Sequence, residues 1–244
     1  MSGERLARIE RPLRYLFRTT RPVMILPATG GGGLEAGIRN GVDERLLVVV
    51  GGKAGEEAAR VAEACGKEVV RAFVAPGAAI EPPHLERFLD GPEVDAVLVP
   101  HVDPGTGAVA PLAELARVVR QVPDTLLLVD ARCSLGAERL ETDLWQVDYA
   151  FAEASAIGGA PGCALAVASK RMIERSRKRA DRGWYFDLPR IEDELRARTL
   201  SNPPTDAAMA ALEAALDALA ARGGITAAWR DTTPRRAPDA GVIL

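Results

Sequence analysis

The stretch DAVLVPHVDPGTGAVAPLAELARVVRQVPDTLLLVDA, residues 95–131, holds two runs of consecutive apolar residues, DAVLVPH and TLLLVDA, separated by PLAELARVVRQV. A half-buried strand alternates apolar with polar residues, whereas a strand covered on both faces is continuously apolar, as these two are. The segment between them places its apolar residues at helical spacing. Strand, helix and strand in this order predict parallel strands joined by a crossover helix.

The same unit extends in both directions. PVMILPA (22–28), RLLVVVGG (45–52), EVVRAFVAP (68–76), DYAFAEA (148–154) and CALAVAS (163–169) are further apolar runs. Helical patterns separate them at LEAGIRNGV (34–42), AGEEAARVAEACG (54–66) and PPHLERFLDG (82–91). Gly66 and Gly91 stand where helix C-caps belong, and Pro82 with Pro83 opens a helix. The expectation is an α/β chain in three layers around a mostly parallel mixed sheet of about seven strands. DYAFAEA and CALAVAS are joined by a short loop, which predicts one antiparallel pair. After Ser169 the pattern turns helical and closes with PTDAAMAALEAALDALAARGG (204–224), an amphipathic helix stopped by two glycines. Residues 1–230 read as one domain and 231–244 as an extended tail.

Composition narrows the function. The chain has 244 residues, 48% of them hydrophobic, and a formal net charge of −3. That balance gives no general attraction to nucleic acid or to anionic membranes. The basic cluster KRMIERSRKRADR (170–182) also carries Glu174 and Asp181, and reads as a solvated helix face. Cys65, Cys133 and Cys163 are scattered without a CxxC pair. With only His84 and His101 as histidines, this argues against a metal site and for a reducing compartment. The amino terminus is charged, and no apolar run approaches the ~20 residues of a membrane span. These features predict a cytoplasmic protein.

In parallel sheets, ligands bind beyond the carboxyl ends of the strands. ATGGGG (28–33), GGKAG (51–55), HVDPGTG (101–107) and DARCS (130–134) occupy those ends. Backbone amides at a glycine-rich helix start can cradle a phosphate.

The order LEAGIRN, LLVVVGGKAGE, VLVPHVDPGTGAVAPL, LLLVDARCSLGAERL, GGAPG and WYFDL resembles the class V aminotransferases. The likeness is in particular to the alanine–glyoxylate and serine–pyruvate type, which are pyridoxal phosphate (PLP) enzymes of fold type I. The resemblance implies the large domain of that fold. It also implies a phosphate site at Thr29, Gly30 and Gly31, and a role for Asp130 opposite the pyridinium nitrogen. His101 and Asp103 match the family's loop, and FAEASAIGGAPG (151–162) matches the segment that carries the Schiff-base lysine.

Against this pattern the chain departs in several places. The lysine slot holds Ser155 when counted back from Pro161–Gly162, and Ala156 when counted forward from Asp148. Neither side chain is an amine, although aminotransfer needs one to hold the cofactor and to move the substrate proton. Ala54 stands where the family stacks an aromatic on the ring, a contact worth about 0.5–1.5 kcal/mol beyond burial. The expectation from the resemblance is that the family's small domain and its substrate-binding arginine have no counterpart here.

The expectation is therefore a degenerate homologue, defective on its own, that serves as a structural or regulatory subunit of an aminotransferase-type assembly. It would form a homodimer or pair with a full-length homologue. PLP would bind weakly and non-covalently at Thr29, Gly30, Gly31, His101, Asp130 and Ser155, or not at all. Two alternatives stand beside it: an aminotransferase active only in complex with a partner chain, and a fold reused for PLP-independent small-molecule chemistry or binding.

Overall fold

Helix α1 (Gly3–Phe17) leads into β1 (Met24–Leu26) in the computed structural model, which describes residues 3–224. Next come α2 (Gly30–Gly41), β2 (Arg45–Val50), α3 (Lys53–Ala64), β3 (Glu68–Phe73), α4 (Pro82–Leu89) and β4 (Ala96–Pro100). They are followed by α5 (Leu112–Val119), β5 (Leu126–Asp130), the short α6 (Thr142–Trp145) and β6 (Tyr149–Glu153). A 3-10 turn (Ala154–Ile157), β7 (Ala164–Ala168), α7 (Lys170–Arg177), α8 (Leu188–Arg196) and α9 (Asp206–Ala221) complete the described chain. The tail expected over 231–244 lies outside the described residues.

The seven strands form one sheet in the order β1-β7-β6-β5-β4-β2-β3. Strands β2 to β6 run parallel, and β7 is antiparallel to both β6 and β1. The short loop after β6 makes the reversed pair that its length predicted. Continuous apolarity marks the interior strands: all of β5 and β7 are buried, and so is β2 from Leu46 onward. At one edge β3 is largely part-exposed, and its Glu68 and Arg71 guard the open ladder.

Strand order fixes the layers. The β2–α3–β3 step runs toward one edge, whereas β3–α4–β4 and β4–α5–β5 run back the other way. Right-handed crossovers therefore place α3 on one face and α4 and α5 on the other. The direction changes between β2 and β4, so their carboxyl ends flank a crevice.

Helix α2 packs on β6 through its glycines. A Cβ on Gly37 would lie 2.5 Å from Tyr149 Cε1, and one on Gly33 would lie 3.2 Å from Phe151. Tyr149 donates its hydroxyl hydrogen to the Gly33 carbonyl at 2.8 Å. Much of the glycine run thus serves helix–strand contact.

Three expectations need correction. The basic cluster is not simply a solvated face. Arg179 is buried between Asp43 and Asp181, and Arg175 donates to the carbonyls of Gly41, Asp95 and Asp124 along the amino edge of the sheet. Gly66 takes the left-handed conformation, at φ 76°, that a C-cap glycine supplies, but Gly91 is not among the residues with positive φ. Helix α8 was not separated from its surroundings in the sequence. It begins at Asp187, whose carboxylate accepts from Arg190 N at 3.1 Å.

Candidate functional site

The carboxyl ends of β1, β2, β4, β5 and β6 deliver the sequence candidates to one edge of the sheet. Asp130 closes β5 in register between Pro100 and Phe151. His101 follows β4, and its amide donates to the Asp130 carbonyl at 2.9 Å. Gly30 opens α2 beside Arg132, and Ser155 lies in the 3-10 turn that continues β6.

His101 is 3% exposed, and its Nδ1 lies 2.9 Å from Ser134 Oγ. Burial lowers its pKa to about 4, so the ring is neutral near pH 7. Asp103 folds its own loop: Oδ1 accepts from the amides of Gly105 and Thr106 and from the Thr106 hydroxyl, at 2.9–3.1 Å. The PGTG sequence is thereby tied back to the aspartate. Thr29 is exposed at the N-cap of α2 without a side-chain cap bond, while its carbonyl accepts from the amides of Gly32 and Gly33. Gly31 faces open space apart from the Thr29 hydroxyl. Ala54 is buried in the first turn of α3.

Asp130 is 4% exposed, and Arg132 takes up both of its oxygens. The Arg132 amide and Nε each donate to Oδ1 at 3.0 Å, and Nε and Nη2 donate to Oδ2 at 3.0 and 2.7 Å. Nη2 also donates to Glu57 on α3 at 2.9 Å. Burial opposes the charge on Arg132, but the hydrogen bonds and charges of Asp130 and Glu57 outweigh it and hold the pKa above the ordinary arginine value. The guanidinium carbon sits 5.7 Å from the Phe151 ring centroid. Its methylenes lie against Gly30, where a Cβ would come 2.4 Å from Arg132 Cδ.

The loop after β6 has no amine. Ser155 is exposed, Ala156 is half-buried, and Glu153 accepts from the Gly162 amide at 3.0 Å. Between Lys67 and Lys170 the chain has no lysine at all. Lys67, Lys170 and Lys178 lie at the opposite edge of the sheet, and Lys53 is exposed at the start of α3.

Arg132, Glu57 and Glu153 are thus part of the site but were not singled out from the sequence. The available signal was a long cation two residues after a strand-end aspartate, in a turn of otherwise small residues. Among the described residues no cluster of His, Cys, Asp or Glu could hold a metal, and no helix is long and apolar enough to cross a membrane.

Residues 38–237 match the family profile described as aminotransferase class-V. This chain belongs to the class V aminotransferase family. An alanine–glyoxylate aminotransferase from Nostoc sp. superposes with a TM-score of 0.87 at 27% identity, over 93% of this chain and 62% of that one. A Thermus thermophilus aspartate aminotransferase gives 0.82, also at 27% identity, over 93% of this chain and 64% of that one. The seven-stranded sheet with its flanking helices is that of the PLP-dependent fold type I transferases. A Synechococcus protein named as the small subunit of a soluble hydrogenase is 30% identical over 86% of this chain and 56% of its own length. The 42 kDa subunit of a soluble hydrogenase from Anabaena cylindrica is 27% identical, over 91% of this chain and 59% of its own length. The chain therefore spans little more than half of these curated relatives.

The family implies PLP, and the residues present do not fit it. A cationic ring requires an available carboxylate, whereas both oxygens of Asp130 are occupied by Arg132. An internal aldimine requires an amine, and the loop from Ala154 to Gly162 has none.

Proposed function

We propose that this chain is a degenerate class V aminotransferase that does not transaminate by itself and acts as a structural or regulatory subunit of an aminotransferase-type assembly. The observation that carries this reading is Arg132, folded onto Asp130 beside a loop without lysine. What remains is a well-packed scaffold whose strand-end edge is closed by ion pairs.

The relatives named as hydrogenase subunits support a subunit role, since this chain is 27–30% identical to proteins whose names describe parts of a larger assembly. Exposed aromatics favour an interface. Trp184 is 64% exposed, and its neighbour Tyr185 reaches the Pro27 carbonyl beside the glycine turn. The partner is a second copy of this chain or a full-length homologue.

The test is a coupled assay of the purified chain with alanine, glyoxylate and added PLP, together with a pull-down from native extract. The reading predicts no pyruvate above a protein-free blank, and co-purification of a class V aminotransferase or self-association. Steady turnover by the isolated chain rejects it.

A further inference from the structure

Arg132 is gripped from four directions. Asp130 at the end of β5 accepts from Nε and Nη2, and Glu57 on α3 also accepts from Nη2. The Phe151 ring on β6 has its centroid 5.7 Å from the guanidinium carbon, and Gly30 at the start of α2 leaves room for the Arg132 methylenes. A side chain with four rotatable bonds loses considerable entropy on being fixed, so contacts with this many elements mark a shaped slot. The charge of the slot is equally specific. Asp130 and Glu57 contact the cation directly, and Glu153 Oε2 lies 3.6 Å from the point a Cβ on Gly30 would occupy. Two carboxylates on one guanidinium, with a third beside Gly30, favour a planar monocation and disfavour a phosphate dianion.

We propose that the slot beside Asp130 is a site for a planar cation, filled in this chain by its own Arg132, so that Asp130 is closed to the PLP ring while Arg132 is in place, and that removal of that side chain creates a pocket for small guanidinium-type cations. The inference deepens the proposed function, because it gives the physical reason for the lost cofactor, but it can fail separately.

The experiment compares the full chain with Arg132→Ala by thermal unfolding in millimolar ethylguanidinium, with ethylammonium as the non-planar control. The variant is expected to melt lower than the parent and to regain Tm with the logarithm of ethylguanidinium concentration, by roughly 3–5 °C at tenfold excess over Kd. Ethylammonium should do much less, and the parent should respond to neither. Equal responses in parent and variant, or no response in a folded variant, overturn the proposal.

Should Arg132→Ala not fold, the unaltered chain still decides. Equilibrium dialysis against PLP, read by absorbance, is expected to show no saturable binding, and stoichiometric uptake overturns the slot. Stoichiometric PLP without turnover sinks the arginine slot and leaves the subunit role standing. Guanidinium rescue in a chain that finds no partner and does not self-associate supports the slot and removes the subunit role.

Discussion

Arg132 and Asp130 form a bidentate pair within a single strand-end turn, Nε to Oδ1 at 3.0 Å and Nη2 to Oδ2 at 2.7 Å. The carboxylate is almost fully buried, and the arginine side chain is 19% exposed. Breaking one side of a buried pair leaves an uncompensated charge, which typically costs roughly 3–5 kcal/mol. Arg132→Met should therefore destabilise by about 3 kcal/mol, near the low end because the guanidinium keeps some solvent. Asp130→Asn with Arg132→Met should lose less than the two single changes added together, by about 1–3 kcal/mol. Urea unfolding of the four proteins measures this coupling, and strict additivity would show that the pair is incidental.

His101 predicts a pH dependence. Its folded pKa of about 4 lies below the unfolded value of 6.5, so between these limits the unfolded chain binds the extra proton. Its contribution is complete above pH 6.5 and is lost as pH falls toward 4. The full span corresponds to about 3 kcal/mol. His101→Gln should flatten that part of the stability profile relative to the parent. Parallel profiles from pH 7 to 4.5 would contradict a buried neutral ring.

The glycines of α2 separate two roles. Gly37→Ala drives a methyl toward Tyr149 at 2.5 Å, and overpacking of this kind costs about 1–3 kcal/mol. Gly31→Ala meets only the Thr29 hydroxyl at 3.8 Å and should be neutral, or stabilising by up to about 1 kcal/mol, through helix propensity. Denaturation midpoints distinguish these outcomes. A destabilising Gly31→Ala would show that the open first turn is already fitted to something else.

These positions also show what could be read from the sequence. The strands of the parallel core announce themselves because burial on both faces demands unbroken apolar runs, as in Leu126–Val129. The reversed strand follows from a loop too short for a crossover. The site was only half legible. Periodicity and motif order bring Asp130, His101 and Thr29 to one edge, but they do not say whether a carboxylate is free. Arg132 is one arginine among many until the turn folds it back onto Asp130. The run from Gly30 to Gly33 looks like a phosphate loop, yet it also gives α2 its close approach to Phe151, and both needs select the same residue.

An amine alone should not restore transamination. Ser155→Lys and Ala156→Lys cover both registers of the loop. Each would offer a lysine beside a slot in which Arg132 still engages Asp130 and Ala54 cannot stack on a ring. Contacts that act as a unit are not recovered singly. Both variants should stay at the protein-free blank in the alanine–glyoxylate assay with PLP. Turnover by either would mean that the rest of the pocket is competent and that the missing amine was the sole defect.

The proposed assembly is expected to use the face of the candidate site. Trp184 stands 64% exposed with the Arg190 guanidinium 4.5 Å from its ring centroid, and Phe186 packs toward Gly32. Helix α9 contacts the 3-10 turn that carries Ser155. The WYF segment is packed on the glycine turn, through Phe186 against Gly32 and Tyr185 to the Pro27 carbonyl. Large aromatics dominate interface energetics, and truncating one at the centre of an interface costs about 2 kcal/mol or more. Trp184→Ala with Tyr185→Ser should therefore weaken association at least about 30-fold while leaving the thermal unfolding of the separated chain within a few degrees. Light scattering across micromolar concentrations reads the assembly state. A parent that remains a soluble 25.9 kDa monomer, and captures no homologue, rules out the interface.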